Sequence, residues 1–172
     1  MKWKIGLAVV SLVAVLFPQD EVAKTTVVKI GDNLPIFSVT TLDGKILNSG
    51  DLAGKVVLIA FFATWCAPCN AELPRIETDI WNKYRADSSV AVVAIGREHK
   101  AEELVKFAQE KNFTLPMAPD PERKVYNLFA SMYVPRVFLI DRAGKIIYQT
   151  SGFDEEEFGR LTVILGKALE SK

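Results

Sequence analysis

The chain has 172 residues, of which 49% are hydrophobic, so it is long enough to bury the core of one ordinary domain. Its 21 basic and 21 acidic residues cancel, which leaves no broad electrostatic field to attract nucleic acid or an anionic membrane surface. The composition therefore favours a single domain and makes nucleic acid an unexpected partner.

The first 23 residues differ in character from the rest. Lys2 and Lys4 precede an uncharged stretch whose apolar part spans residues 5–17. This layout is typical of a secretory signal, and the apolar run is shorter than the roughly 20 residues that a membrane-spanning helix needs. We predict that residues 1–23 form a signal peptide or an uncleaved membrane anchor, and that residues 24–172 form the domain. Either outcome places the domain in the periplasm or cell envelope, with membrane contact only through the N-terminal segment.

The first elements predicted for the domain are two short strands around a turn at residues 43–44, followed by a polar or helical turn near residues 49–52. The continuous apolar run at residues 56–62, VVLIAFF, is typical of a strand that is covered on both faces. We place it at the centre of the sheet. Helical spacing then extends over residues 66–84, where Pro74 predicts a kink.

The next elements continue an alternation of strands and helices. A buried strand is predicted at residues 90–96 and a helix at residues 100–111. Residues 116–121 contain three prolines and indicate a short loop, after which a helix is predicted over about residues 122–130. Alternating strands and helices favour parallel pairing with right-handed crossovers.

The last elements are an antiparallel hairpin and a helix. Two apolar runs flank a tight turn at residues 143–144, and the final helix is predicted over residues 154–169. The whole pattern predicts an α/β fold. Its central mixed β-sheet is parallel in the middle, carries an antiparallel hairpin at one side and has helices on both faces.

Two cysteines, Cys66 and Cys69, are the only thiols of the chain, in the segment ATWCAPC. Cys66 lies at the predicted start of a helix and at the carboxyl end of the central strand, where unpaired N–H groups and the helix dipole stabilise a thiolate. Cys69, one turn later, is placed to attack a mixed disulfide on Cys66. Pro68 suits the first helical turn and stiffens the loop, and Ala67 precedes it. The pair is therefore predicted to be a dithiol switch.

Other roles for the two cysteines stay open. A disulfide across three residues restricts the unfolded chain too little to be a useful staple. A structural zinc site needs four ligands, and the chain offers two cysteines and one histidine, His99. No metal ligands are therefore assigned. A copper or zinc carrier and a thiol peroxidase that attacks through one cysteine remain as alternatives.

These motifs resemble the thioredoxin superfamily, and more closely its TlpA/ResA-like envelope thiol-disulfide oxidoreductases, over residues 33–169. The resemblance rests on ATWCAPC, on Pro74, and on VPRVFLIDRAGKI, where the family's cis-proline falls on Pro135. It implies a thioredoxin-like fold with an N-terminal β-hairpin extension and a central βα insertion within about residues 98–130. It also implies a Cys66 nucleophile and a Cys69 resolving thiol.

The resemblance extends to the surroundings of the two cysteines. A cis-proline at Pro135 would leave the backbone of Val134 free to pair with a substrate strand; the alternative is a trans proline that starts a strand. Trp65 would supply an apolar platform next to Cys66, or else simply pack against its neighbours. Thioredoxins carry an aspartate where this chain has Ala60. The acidic position of the ResA-like branch falls on Glu72, which could take the proton from Cys69. The alternative for Glu72 is a surface carboxylate paired with Arg75.

Two further residues are weaker candidates for lining the site. His99 follows a predicted strand at the same sheet edge as Cys66 and would tune its thiolate, or else serve as an ordinary loop residue. Arg136, beside the cis-proline, would either favour acidic partners or point to solvent.

The sequence therefore predicts an exported thiol-disulfide oxidoreductase that acts on protein thiols or disulfides. It needs no cofactor besides the Cys66–Cys69 disulfide. The resemblance favours reduction of substrates, which requires an electron donor in the membrane, and makes a role in cytochrome c maturation one candidate.

Overall fold

The structure is a computed structural model that describes residues 19–171. Most of the predicted leader, residues 1–18, lies outside the described residues, so its prediction stands untested. Gln19–Lys24 forms a short helix, α1. Within the described range, no helix is both long and apolar enough to cross a membrane.

An antiparallel hairpin opens the domain, as predicted. Its strands are β1, Ser38–Thr40, and β2, Ile46–Asn48, and a 3₁₀ turn follows at Ser49–Leu52. Gly44 in the turn has a φ of 81°, a left-handed conformation that glycine adopts without steric cost.

A five-stranded mixed sheet forms the centre of the domain. Its strands are β3 Val56–Phe62, β4 Val90–Arg97, β5 Met117–Asp120, β6 Arg136–Ile140 and β7 Ile146–Ser151. The spatial order is β5-β4-β3-β6-β7, in which β3, β4 and β5 run parallel and β6 pairs antiparallel with both β3 and β7. The predicted central strand and C-terminal hairpin are therefore confirmed.

The helices come mainly from the crossovers between strands. They are α2 Ala67–Arg75, a π-helical segment Ile76–Trp81, α3 Asn82–Tyr84, α4 Ala101–Lys111, α5 Tyr126–Phe129 and α6 Glu155–Glu170. The predicted helix over residues 66–84 is thus continuous but changes its hydrogen-bonding pattern just after Pro74. Pro74 has no N–H and so removes one hydrogen bond of the α-helix. A switch from α-helical to π-helical bonding is expected next to such a missing bond.

The central strand shows why the sheet is covered on both faces. Alternate residues of β3 point to opposite sides, so Leu58 and Phe62 pack with the helical layer of α2, α4 and α6. Ile59 and Phe61 pack on the other face against the hairpin and α5. All seven residues of β3 are buried, which explains the unbroken apolar run in the sequence.

The predicted loop at residues 116–121 and the helix at residues 122–130 were wrong in detail. Met117–Asp120 is the edge strand β5, in which Pro119 is tolerated because an edge strand needs only one side of its ladder. The helix is only Tyr126–Phe129. The buried Asp120 carboxylate accepts hydrogen bonds from the N–H groups of Val125 and Tyr126, 3.1 and 2.8 Å away, and so caps the start of α5. The extra strand and helix implied by the family resemblance are both present.

Candidate active site

The two cysteines lie where the central strand passes into α2. Cys66 is the N-cap residue of α2, and its Sγ is bonded to that of Cys69. The Cys66 sulfur also accepts a hydrogen bond from the backbone N–H of Cys69, at 3.2 Å. Cys69 is fully buried and Cys66 is 5% exposed, whereas Ala67 and Pro68 between them are exposed. A partner can therefore approach only Cys66, over the small surface of Ala67 and Pro68.

Two polar side chains hold the loop before Cys66 in place. The Asn70 amide donates to the carbonyl oxygens of Thr64 and Cys66, at 2.9 and 3.0 Å. Nε2 of His99 accepts a hydrogen bond from the Thr64 N–H, at 3.0 Å. The buried His99 thus contacts the active-site loop through Thr64. The sequence reasoning missed Asn70, although its place four residues after Cys66 put it one helical turn away.

A second loop approaches the disulfide from β6. The Val134–Pro135 peptide bond is cis, and the Val134 carbonyl oxygen lies 3.5 Å from Sγ of Cys66. Within residues 19–171, the Val134 N–H donates to no acceptor. Pro135 is buried, and its own carbonyl accepts from the Gly152 N–H at 3.0 Å. The family resemblance and the structure thus place the same proline beside the nucleophile.

Arg136 does not point to solvent or to a partner, and both expectations for it were wrong. Only 2% of the residue is exposed. Its guanidinium donates to the hydroxyls of Thr25 and Thr26 at 2.7 and 2.6 Å, and to the carbonyl oxygen of Met132 at 3.0 Å. Because these acceptors belong to two separate segments, Arg136 fastens the segment after α1 to the loop that carries the cis-proline.

Glu72 is a buried carboxyl group on the same helix as both cysteines. It is 3% exposed, on the inner face of α2 with Cys69 and Leu73. Burial raises its pKa from 4.5 to about 8, because the charged form loses its hydration. Among residues 19–171, its side chain makes no hydrogen bond, and Arg75 pairs with Asp79 and Glu155 instead. Glu72 is therefore not a surface carboxylate paired with Arg75.

An open cleft lies between Trp65, the residue before Cys66, and the loop that carries Val134. Trp65 is 67% exposed and forms one wall, and the cleft encloses about 360 Å³. Its remaining lining includes Arg97, Arg123, Met132, Tyr133 and Val134. Of these, the sequence reasoning had selected only Trp65 and Val134. Arg97 could have been found, since it ends β4 at the sheet edge where α/β folds place their sites.

The geometry suits two-electron exchange between sulfur atoms. One sulfur is accessible at a helix N-terminus, its partner is buried one turn later, and a titratable carboxyl lies on the same helix. Within the described part of the chain, no cluster of three or more His, Cys, Asp or Glu side chains could hold a metal ion.

Comparison with known proteins agrees with this geometry. Residues 30–149 match the AhpC/TSA family. The chain is 32% identical over 129 residues to the thiol-disulfide oxidoreductase ResA of Bacillus thuringiensis, covering 75% of this chain and 73% of the relative. It is also 31% identical over 151 residues to the thioredoxin-like protein YneN of Bacillus subtilis, covering 84% of this chain and 86% of the relative.

Solved structures show the same fold. A protein from Bacteroides thetaiotaomicron, described as a candidate protein disulfide isomerase, is 36% identical with a TM-score of 0.83, over 86% of this chain and 94% of its own. A candidate thiol:disulfide interchange protein DsbE from Chlorobium tepidum is 30% identical with a TM-score of 0.71, over 83% of this chain and 99% of its own. The chain therefore belongs to the AhpC/TSA family and, within the thioredoxin superfamily, to the TlpA/ResA-like thiol-disulfide oxidoreductases.

Proposed function

We propose that the chain is an exported reductase of protein disulfides. Cys66, as a thiolate, attacks one sulfur of a substrate disulfide and expels the other as a thiolate. Cys69 then attacks Sγ of Cys66, which releases the second substrate thiol and leaves the Cys66–Cys69 disulfide. The observation that carries the thiol-disulfide exchange and the choice of Cys66 as its nucleophile is the Cys66 sulfur at the start of α2. There it accepts the Cys69 N–H at 3.2 Å, and this donor and the helix dipole both favour a thiolate. The reducing direction is supported by the resemblance to the ResA-like oxidoreductases.

Glu72 is proposed to handle the proton of Cys69. Cys69 must lose its proton before it attacks, and Glu72 lies on the same buried face of α2. Its pKa of about 8 is close to that of a thiol, about 8.5, so the proton can move in either direction at low cost. In the disulfide form Glu72 holds the proton at neutral pH. It can return that proton to Cys69 when a donor reduces the enzyme.

The backbone of Val134 is proposed to bind the substrate. Its N–H makes no hydrogen bond within residues 19–171, and its carbonyl faces the nucleophile at 3.5 Å. An extended substrate segment can pair with this residue and bring its own sulfur to Cys66. Trp65 adds an exposed apolar surface beside the same point.

The proposed location is the periplasm or cell envelope, supported by the charged and then apolar pattern of residues 1–17. Each turnover leaves an oxidised enzyme, so two electrons must return from a donor. In that location we propose a membrane protein as the donor, and protein disulfides, those of apocytochrome c among them, as the substrates.

The direction of the reaction is tested by the reduction potential of the Cys66–Cys69 pair. A value of about −270 mV, similar to thioredoxin, indicates a reductant, whereas a value of about −120 mV would indicate an oxidant. The sulfur roles are tested in parallel. Cys66→Ser should abolish insulin reduction, and Cys69→Ser should accumulate a mixed disulfide on Cys66. Faster alkylation of Cys69 than of Cys66 in the reduced protein would show that the roles are reversed.

A further inference from the structure

The cleft between Trp65 and the cis-proline loop contains two guanidinium groups that the proposed chemistry does not use. Arg97 extends from the end of β4, and Arg123 from the loop between β5 and α5. Both guanidinium carbons lie 5.2 Å from the ring centroid of Tyr126, which is fully buried beneath them. Two like charges are thus held together at one end of the substrate-binding surface.

The two guanidinium groups of the cleft have one carboxylate partner between them. Glu98 is the carboxylate that pairs with both groups, at 3.0 Å from Arg97 and 3.8 Å from Arg123. Arg123 also donates to the carbonyl oxygen of Ser131. In addition, the Nε atoms of Arg97 and Arg123 have no hydrogen-bond partner among the described residues. The two guanidinium groups thus share one carboxylate as their ion-pair partner among the described residues.

The backbone around the cleft is strained in a way that points to a built site. Outside glycine, the described residues with positive φ are four, and three of them border this cleft: Glu98 at 65°, Arg123 at 58° and Tyr133 at 70°. A left-handed conformation is unfavourable for such residues, and strain of this kind collects at functional sites. The fourth, Asn112, ends α4, where this conformation is common.

The cleft is also next to the reacting sulfur. Trp65 precedes Cys66 in the chain, and Val134, at the opposite wall, has its carbonyl oxygen 3.5 Å from the Cys66 sulfur. A segment that lies along Val134 with its sulfur at Cys66 therefore places a neighbouring side chain in the cleft. The volume of about 360 Å³ is ample for one such side chain.

We infer that this cleft binds an acidic side chain of the substrate polypeptide, at a position adjacent to the cysteine that Cys66 attacks. The inference rests on the proposed function in that it takes the Cys66 side of the molecule as the substrate-binding surface. The guanidinium groups of Arg97 and Arg123, which share one carboxylate partner, select a carboxylate, and Trp65 and Met132 add apolar surface to the lining. Binding of this side chain makes the enzyme prefer disulfide substrates that carry an acidic residue next to the attacked cysteine.

The test uses short peptides with a single cysteine, activated as a mixed disulfide with thiopyridine, and with no charged side chain except at one variable position. Glu, Gln or Lys stands immediately before or after the cysteine. In the Cys69→Ser protein, the Cys66 thiolate attacks the peptide sulfur, and the released thiopyridone is followed by its absorbance. In at least one of the two positions, the Glu peptide should react about five times faster than the Gln peptide, and the Lys peptide should react more slowly than both.

Variants of the cleft should change the ratio of the Glu and Gln rates in opposite directions. Arg123→Gln removes one of the two cationic groups and leaves Arg97 paired with Glu98, so it should bring the ratio close to one. Glu98→Gln removes the competing carboxylate and should raise the ratio above that of the parent protein. Arg160→Gln is the matched control, because Arg160 lies on α6 and pairs with Glu156 and Glu157 outside the cleft. It should leave the ratio unchanged.

Two results would overturn the inference: equal rates for the Glu and Gln peptides at both positions, or a preference that survives Arg123→Gln. The preference should also shrink at high salt, since exposed charges are screened. Because this assay follows only the attack by Cys66, it is independent of the direction of turnover. An oxidising reduction potential would contradict the reductase proposal without removing the preference for acidic peptides.

Discussion

Glu72 and Glu77 are two buried carboxyl groups, five residues apart along the same continuous helical stretch, and they have opposite surroundings. Both oxygens of Glu77 accept hydrogen bonds, from the backbone N–H groups of Thr114 and Leu115 and from the Thr114 hydroxyl. Glu72 is 3% exposed and makes none with any described residue. A buried carboxyl that satisfies backbone donors holds the fold together, whereas one left without partners is costly and indicates chemistry.

The comparison is tested most strongly by the stability of the oxidised protein at different pH values. Burial raises the pKa of Glu72 from 4.5 to about 8, so between these values the folded state holds a proton that the unfolded state has released. This contribution is complete below the unfolded value and is lost as the pH rises to about 8. Between about pH 5 and about pH 9, we expect a loss on the order of 4 kcal/mol from this group.

Glu72→Gln should remove that part of the pH dependence, because the amide does not titrate. Urea unfolding of the disulfide form of both proteins at the two pH values measures the difference. Equal slopes of stability against pH in both proteins would show that Glu72 is ionised in the fold.

The same isosteric change at Glu77 should have a different effect. Glu77→Gln replaces one acceptor oxygen by an NH₂ group that faces the Leu115 or Thr114 donors. We expect a loss of about 2 kcal/mol at neutral pH, which corresponds to a decrease in Tm of about 6 °C. Thermal unfolding measures this effect, and insulin reduction below the transition should be retained. A variant as stable as the parent protein would remove the structural role assigned to Glu77.

His99 provides a smaller test of the distinction between buried polar groups that support the fold and those that take part in the chemistry. Its Nε2 accepts the Thr64 N–H, and its Nδ1 lies 3.4 Å from the Glu103 carboxylate. His99→Phe should therefore leave the Thr64 N–H unpaired and cost about 1 kcal/mol, while His99→Gln, which offers an acceptor oxygen, should restore part of the loss. In both variants the alkylation rate of Cys66 should change less than about tenfold, because His99 acts on Cys66 only by positioning the loop at Thr64. Equal stability of all three proteins would contradict a supporting role for this histidine.

The sequence predicted the elements whose pattern is local. The unbroken apolar run of β3, the turn at Gly44 and the acidic start of α6 each follow from the chemistry of a few neighbouring residues. The cysteine pair at a helix N-terminus followed from the same local pattern. Strand β5 was missed because its prolines indicate a loop, and only the pairing of Pro119 with Gly96 at the sheet edge makes a strand possible.

The parts of the site that depend on distant residues could not be predicted in this way. Arg136 follows the cis-proline in the chain, but its environment is set by Thr25 and Thr26, about a hundred residues earlier. The cleft requires Arg97 and Arg123 to converge on Tyr126, which no short-range spacing indicates. The proton-acceptor role of Glu72 was inferred from the family resemblance, whereas its burial and its lack of hydrogen-bond partners among the described residues appear only in the folded structure.

The role of Glu72 in catalysis is tested most directly by the pH dependence of mixed-disulfide release. A substrate is bound through Cys66 in a single turnover, and release of its second thiol is timed for the parent protein and for Glu72→Gln. We predict that the parent rate rises as the pH approaches the Glu72 pKa of about 8. The variant should be slower by about a hundredfold and should lack that rise. Superimposable profiles of the two proteins would contradict the account and show that Cys69 loses its proton to another acceptor.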